Sequence, residues 1–145
     1  MWFLGDTLSI KVYQALAAAL EMRPERRVIL SDSGNFPSDL YMAEGLIKAL
    51  GRGDELRIVA PDEVTDAITD EVAVTLLTEV DYRNGRLHDM GEIARRAQDA
   101  GAVTIWDLAH SAGALPVDLA GCGADFAVGC TYKYLNGGPG TPPVL

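Results

Sequence analysis

Two residues set the chemistry open to this sequence. Asp107 closes the run Val103-Thr104-Ile105-Trp106 and precedes Leu108-Ala109-His110. A strand ending there would present the carboxylate to a crevice, although an isolated Asp in that place equally caps a turn or a helix. Lys133 stands between Gly129-Cys130-Thr131-Tyr132 and Tyr134-Leu135-Asn136-Gly137-Gly138. A lone lysine on an acidic chain is ordinarily a solvated charge, but apolar and aromatic neighbours withdraw this amine from water and suit it to imine formation. Pyridoxal phosphate needs both groups. A carboxylate keeps its pyridine nitrogen protonated, so that the ring draws electrons, while a lysine holds its aldehyde. The phosphate requires backbone N–H groups at a helix start together with hydroxyls, and Ser9 is placed to supply these. Phe36, in Asn35-Phe36-Pro37-Ser38-Asp39, can cover the ring by stacking or serve as a loop anchor.

These residues must be carried by regular elements, and the chain alternates them. Ser9 reads as the N-cap of a helix reaching residue 22, followed by a β-branched strand over 27–31 that ends in Asp32-Ser33-Gly34-Asn35. Ser38 reads as the cap of a second helix through residue 50. A strand over 56–60, a helix over 61–68 opening on Pro61 and a buried strand over 72–80 come next. Residues 81–85 form a turn, 89–100 a helix, 103–107 a strand, and 126–130 the last clear strand. Strands separated by helices imply parallel βαβ units, whose ligands gather at the carboxyl ends of the strands.

Composition narrows the function classes. The 145 residues are 48% hydrophobic and 23% charged, with 12 Lys and Arg against 21 Asp and Glu and a net charge of −9. Neither nucleic acid nor a membrane surface is expected as a partner, because both demand a positive patch. No apolar stretch approaches the roughly 20 residues of a membrane span, and Met1-Trp2-Phe3-Leu4-Gly5-Asp6 shows no leader, so a cytoplasmic protein is expected. Cys122 and Cys130 lack the spacing of a zinc site or a disulfide framework, and no metal is expected. No GxGxxG follows the first strand, which argues against a dinucleotide-binding domain.

Longer motifs carry a resemblance. Trp106-Asp107-Leu108-Ala109-His110-Ser111-Ala112-Gly113, with Cys130-Thr131-Tyr132-Lys133-Tyr134-Leu135-Asn136-Gly137-Gly138-Pro139-Gly140, resembles the kynureninase family, fold-type-I pyridoxal phosphate enzymes of the class V aminotransferase superfamily. Asn35-Phe36-Pro37-Ser38-Asp39-Leu40-Tyr41 and Leu77-Thr78-Glu79-Val80-Asp81-Tyr82-Arg83-Asn84-Gly85 are similar to the same family. The resemblance implies an α/β fold: a three-layer αβα large domain with a mainly parallel sheet, present here incompletely. It implies that Lys133 bonds the pyridoxal 5'-phosphate aldehyde, that Asp107 pairs with the pyridine nitrogen, and that His110 lies beside the cofactor. It further implies that Tyr132 bonds the phosphate and acts in proton transfer with Lys133, that Phe36 stacks on the ring, and that Leu8 and Ser9 hold the phosphate. Thr78 and Asp39 match further cofactor positions. Outside the resemblance, His110 reads as a packed loop histidine and Tyr132 as a core residue.

The implied reaction is hydrolysis of L-kynurenine or 3-hydroxykynurenine to anthranilate or 3-hydroxyanthranilate and L-alanine, in tryptophan degradation and NAD biosynthesis, by a homodimer. Residues 1–145 are expected to be the central cofactor-binding part of the large domain, without the family's small C-terminal domain or its N-terminal segment. Met1 would fall at a strand or loop inside that large domain, and Lys11 stands where the family commonly has Asn. Such a piece, alone, is expected to bind the cofactor weakly or aggregate and to be inactive. A cysteine desulfurase or selenocysteine lyase relative, or a non-catalytic remnant, are the alternatives.

Overall fold

The computed structural model describes residues 3–144; Met1 therefore lies outside the described residues. Its centre is a five-stranded sheet in the order β2-β1-β3-β4-β5, with every pairing parallel. The strands are β1 (Val28–Asp32), β2 (Glu55–Val59), β3 (Val72–Thr78), β4 (Val103–Asp107) and β5 (Phe126–Val128). Every residue of β1, β3 and β4 is buried, which is why these segments read as continuous apolar runs: a parallel sheet is covered on both faces. The strand order reverses between β1 and β3, so β1 and β2 build outward on one side and β3 to β5 on the other.

Two helices cover one face. Val12, Leu16 and Leu20 of α1 (Leu8–Met22) and Leu46 of α2 (Pro37–Leu50) pack against Ile29, Leu76 and Ile105. The other face carries α3 (Val64–Ala67), α4 (Met90–Ala100) and α5 (Leu119–Cys122), with Val64 and Ile93 packed among Leu30, Leu77 and Trp106. The result is the three-layer αβα arrangement with a parallel sheet that the motifs imply.

Several local expectations are corrected. Thr7, not Ser9, caps α1: its backbone is extended and its hydroxyl accepts from the Ile10 N–H at 3.2 Å. Ser38 does not cap α2; Phe36 holds that position without a side-chain bond, and Pro37 opens the helix with its ring already at the helical φ. The segment expected as one helix from residue 61 splits into a 3-10 turn, Pro61–Glu63, and the short α3. β3 ends at Thr78 and β5 at Val128, each two residues short of expectation.

Candidate active site

Parallel pairing brings the strand ends together at one rim. Thr78 of β3 is in register with Asp107 of β4, which is in register with Val128 of β5. A cavity of about 390 Å³ opens beside that rim, bounded by the first turn of α1, the loop before α2 and the segments that follow β4 and β5. This volume falls within the range of small-molecule sites. Leu8, Ser9, Phe36, Asp107, His110, Tyr132 and Lys133 all line it, so residues as far apart as 8 and 133 meet in one wall. Thr78 does not. It is buried, and its hydroxyl donates to the Val80 and Asp107 carbonyls at 3.3 and 3.4 Å, tying β3 to β4 beneath the cavity. Asp39 is also absent from the wall, fully buried on α2 next to Asp107.

Lys133 is half-buried, and its Nζ lies 2.8 Å from His110 Nε2. Burial first, and the neighbouring Lys133 ammonium second, hold the imidazole below its ordinary value, so the ring is neutral at pH 7 and accepts from the lysine through Nε2. The ring proton then sits on Nδ1, which is buried without a partner among the described residues. Gly113 makes this meeting possible. It is left-handed at φ 85°, and a Cβ there would lie 2.5 Å from the Tyr134 carbonyl oxygen, so a side chain would push the loop after β4 away from the one that carries Lys133. The desolvation expected around Lys133 is only partial, because Tyr132 and Tyr134 are each 51% exposed. The Tyr132 phenol is nevertheless raised, by burial and then by the Cys130 thiol, and stays protonated at neutral pH.

Beneath the lysine lies a pair of carboxyl groups. Burial raises Asp107 to about 6, against the opposing pull of the Ala109 N–H and the Lys133 ammonium. Burial and then the Asp107 charge raise Asp39 to about 8. Asp107 Oδ1 accepts from Ala109 N at 2.8 Å, whereas Asp39 Oδ2 is buried with no partner among the described residues. Two neighbouring carboxyls in so dry a place hold one proton between them, and a ligand N–H on Asp107 would settle the charge there and the proton on Asp39.

The far end of the cavity is different. α1 begins there, and the Leu8 and Ser9 N–H groups precede the first N–H that the Thr7 cap satisfies. The start of a 15-residue helix thus offers N–H donors that have no acceptor among the described residues and a partial positive charge to an anion. Lys11 faces elsewhere: it is buried, with Nζ donating to Gln14 Oε1 at 3.1 Å. The Phe36 ring stands between the two ends, its centroid 5.9 Å from Lys133 Nζ. The site therefore offers an anion cradle, an aromatic cover, a buried acid pair and an amine.

The model of one family, Aminotransferase class-V, matches residues 12–142. The chain belongs to that family. Within class V it is 58% identical over 142 residues to a protein of Deinococcus radiodurans named kynureninase, an overlap of 98% of this chain and 34% of that relative. It is 55% identical over 144 residues to a protein of the same name from Burkholderia mallei, covering 96% of this chain and 35% of the relative. The chain thus spans about a third of the length of the curated relatives it matches. Among solved structures it is similar in fold to a NifS-like protein, with a TM-score of 0.82 at 14% identity over 99% of this chain and 41% of that one. A cysteine desulfurase from Thermococcus onnurineus superposes with a TM-score of 0.77 at 21% identity, over 99% of this chain and 37% of its own.

Some side chains that shape the site carry no chemical signature in the sequence. Asn35 is buried; its amide donates to Ser31 Oγ and the Leu76 carbonyl, each at 3.0 Å, and accepts from Phe36 N at 2.7 Å. Tyr82 packs against Phe36 from the turn after β3. The hint available was position: both follow strands whose carboxyl ends define the rim.

Proposed function

We propose that residues 1–145 form the central cofactor-binding part of a kynureninase-like enzyme that hydrolyses the Cβ–Cγ bond of L-kynurenine or 3-hydroxykynurenine, releasing anthranilate or 3-hydroxyanthranilate and L-alanine. The observation that carries this reading is the Lys133–His110 pair, 2.8 Å apart, in the same cavity as the Asp107 carboxyl. Class V membership and the kynureninase names of the relatives at 55–58% identity support it. Pyridoxal 5'-phosphate fits the residues present: His110 Nδ1, buried with no partner among the described residues, leaves hydrogen-bonding capacity at the carboxyl end of the cavity, and the first N–H groups of α1 suit a phosphate. When bound, the cofactor supplies a sink for electrons left at the substrate Cα. Asp107, fixed by the Ala109 N–H, would hold the pyridine N–H as a carboxylate, and Asp39 would keep the one proton that the two carboxyls hold between them. Phe36 covers the ring, and Leu8 and Ser9 bind the phosphate. Lys133 Nζ would hold the cofactor through its aldehyde carbon and, as a free amine beside a bound substrate, would take the Cα proton. His110 receives a hydrogen bond from that Nζ and fixes its direction. The Tyr132 phenol would bond the phosphate and, as water adds to the γ-carbonyl and the Cβ–Cγ bond breaks, would give its proton to Cβ.

The same reading carries a homodimer and a cytoplasmic setting in tryptophan breakdown. No helix among the described residues is long and apolar enough to cross a membrane. To test the proposal, the chain is mixed with pyridoxal 5'-phosphate, reduced with borohydride and mapped by mass spectrometry. A pyridoxyl adduct confined to Lys133 and lost in Lys133→Ala is expected, with anthranilate fluorescence reporting any kynurenine turnover. The sequence has two other lysines, Lys11 and Lys48; labelling of either as heavy as that of Lys133 would sink the cofactor assignment, and sulfide released from cysteine would move the chain to desulfurase chemistry.

A further inference from the structure

Phe36 is held from below by its own loop. Asn35 bonds the Phe36 N–H and reaches across the sheet to the Leu76 carbonyl, which fixes the main chain but leaves the ring free to tilt. The tilt is met by another element. Tyr82, in the turn after β3, meets Phe36 edge to face, with centroids 5.0 Å apart and planes at 68°, and lies 6.2 Å from the His110 ring. This tyrosine is 41% exposed, so burial alone does not explain its placement.

Arg83 seats it. The guanidinium lies 5.6 Å from the Tyr82 ring centroid, donates through Nη2 to the Ser33 carbonyl at 3.0 Å, and pairs with Asp81 Oδ2 at 3.3 Å. Asp81 Oδ1 in turn accepts from the Arg83 N–H at 2.8 Å. Ser33 belongs to the loop that leads into Phe36, so one arginine ties the two loops together while backing the aromatic ring. Gly34 lets them close. A Cβ on it would lie 2.8 Å from Asp32 Oδ1 and 2.9 Å from Asp81 Oδ2. Asp32 is itself fixed from the other side by His88 Nε2, at 2.9 Å.

We propose that Tyr82, seated by Arg83, is a positioning residue that sets the tilt of the Phe36 ring over the cavity. Its consequence for cofactor affinity rests on the pyridoxal phosphate reading above; the clamp itself rests on geometry alone. Tyr82→Phe keeps the aromatic edge and Tyr82→Leu removes it.

The sequence holds three phenylalanines, so ring-labelled phenylalanine gives few resonances in the cofactor-free chain, and Phe36→Leu assigns the one of interest. The Phe36 signal is expected to coincide in wild type and Tyr82→Phe and to move in Tyr82→Leu, with melting curves showing all three folded. Titration with pyridoxal 5'-phosphate is expected to show Tyr82→Leu about threefold to tenfold weaker than wild type, as loss of one aromatic pair predicts. Its visible circular dichroism should be altered too, while Tyr82→Phe follows wild type in both. An unmoved Phe36 signal in Tyr82→Leu, or an affinity and dichroism equal to wild type, overturns the proposal. A wild-type chain that takes up no cofactor sinks the cofactor reading instead, and the clamp is then decided by the Phe36 resonances.

Discussion

Burial first, and the Asp107 charge second, raise the Asp39 carboxyl from 3.8 to about 8, and this ties the stability of the chain to pH in a definite direction. Above pH 4 the unfolded chain gives up the Asp39 proton while the folded chain keeps it, so folding becomes less favourable with each step toward pH 8. The stabilising share is complete below the unfolded value and gone above the folded one. Asp39→Asn cannot ionise. Its stability relative to wild type should therefore rise between pH 5 and pH 8, by on the order of a few kcal/mol at about 1.4 kcal/mol per pKa unit. Urea midpoints for both proteins at three pH values read this directly, and parallel curves would show that the pair does not hold its proton. The places of the acid and the amine were legible in the sequence, because Asp107 ends β4 and Lys133 follows β5. Tyr82 and Asn35 were not: they act by touching residues 46 and 41 positions away, respectively, and side-chain type says nothing of such contacts.

The elements show where sequence reading slips by a residue or two. Thr7 and Ser9 are both hydroxyls within one turn of the α1 start, and only backbone conformation decides between them: Thr7 is extended and accepts from Ile10 N. Ser9 lies inside the helix, and its hydroxyl is left for the cavity it lines. The two alanine variants should separate cleanly. Thr7→Ala loses the cap and about 1 kcal/mol of stability. Ser9→Ala leaves stability within about 0.5 kcal/mol but weakens pyridoxal 5'-phosphate binding by roughly tenfold, the worth of one hydrogen bond to a charged group. Denaturation and cofactor titration of the pair check both halves; a Ser9→Ala chain as destabilised as Thr7→Ala would return the cap to Ser9. α2 repeats the lesson, since Pro37 pre-sets the helix and leaves Ser38 within its first turn, 3.5 Å from Asp39 Oδ1.

At the scale of the whole molecule, the alternation of strand and helix made the parallel αβα fold legible, because buried runs such as those of β3 and β4 can be covered only by helices on both faces. The strand order was not legible. Nothing in the residues of β3 says that it pairs with β1 rather than β2, and that pairing is what brings the loop carrying Phe36 next to the turn carrying Tyr82. β3 is also where the two halves of the core meet, with Leu76 packed among the α1 and α2 contacts and Leu77 among those of α3 and α4, both fully buried. A central strand whose neighbours are both hydrogen-bonded to it cannot release one face while keeping the other, so the two cores should unfold as one unit. Leu76→Ala and Leu77→Ala are each expected to cost about 2–5 kcal/mol, with far-UV dichroism and tryptophan emission tracing the same single transition. If Leu77→Ala instead lost emission before dichroism, the α3 and α4 face would be a separable layer and β3 would not couple the molecule. Coincidence of the two signals in both variants would make β3 the common support of the Asp107 rim and of the clamp on Phe36.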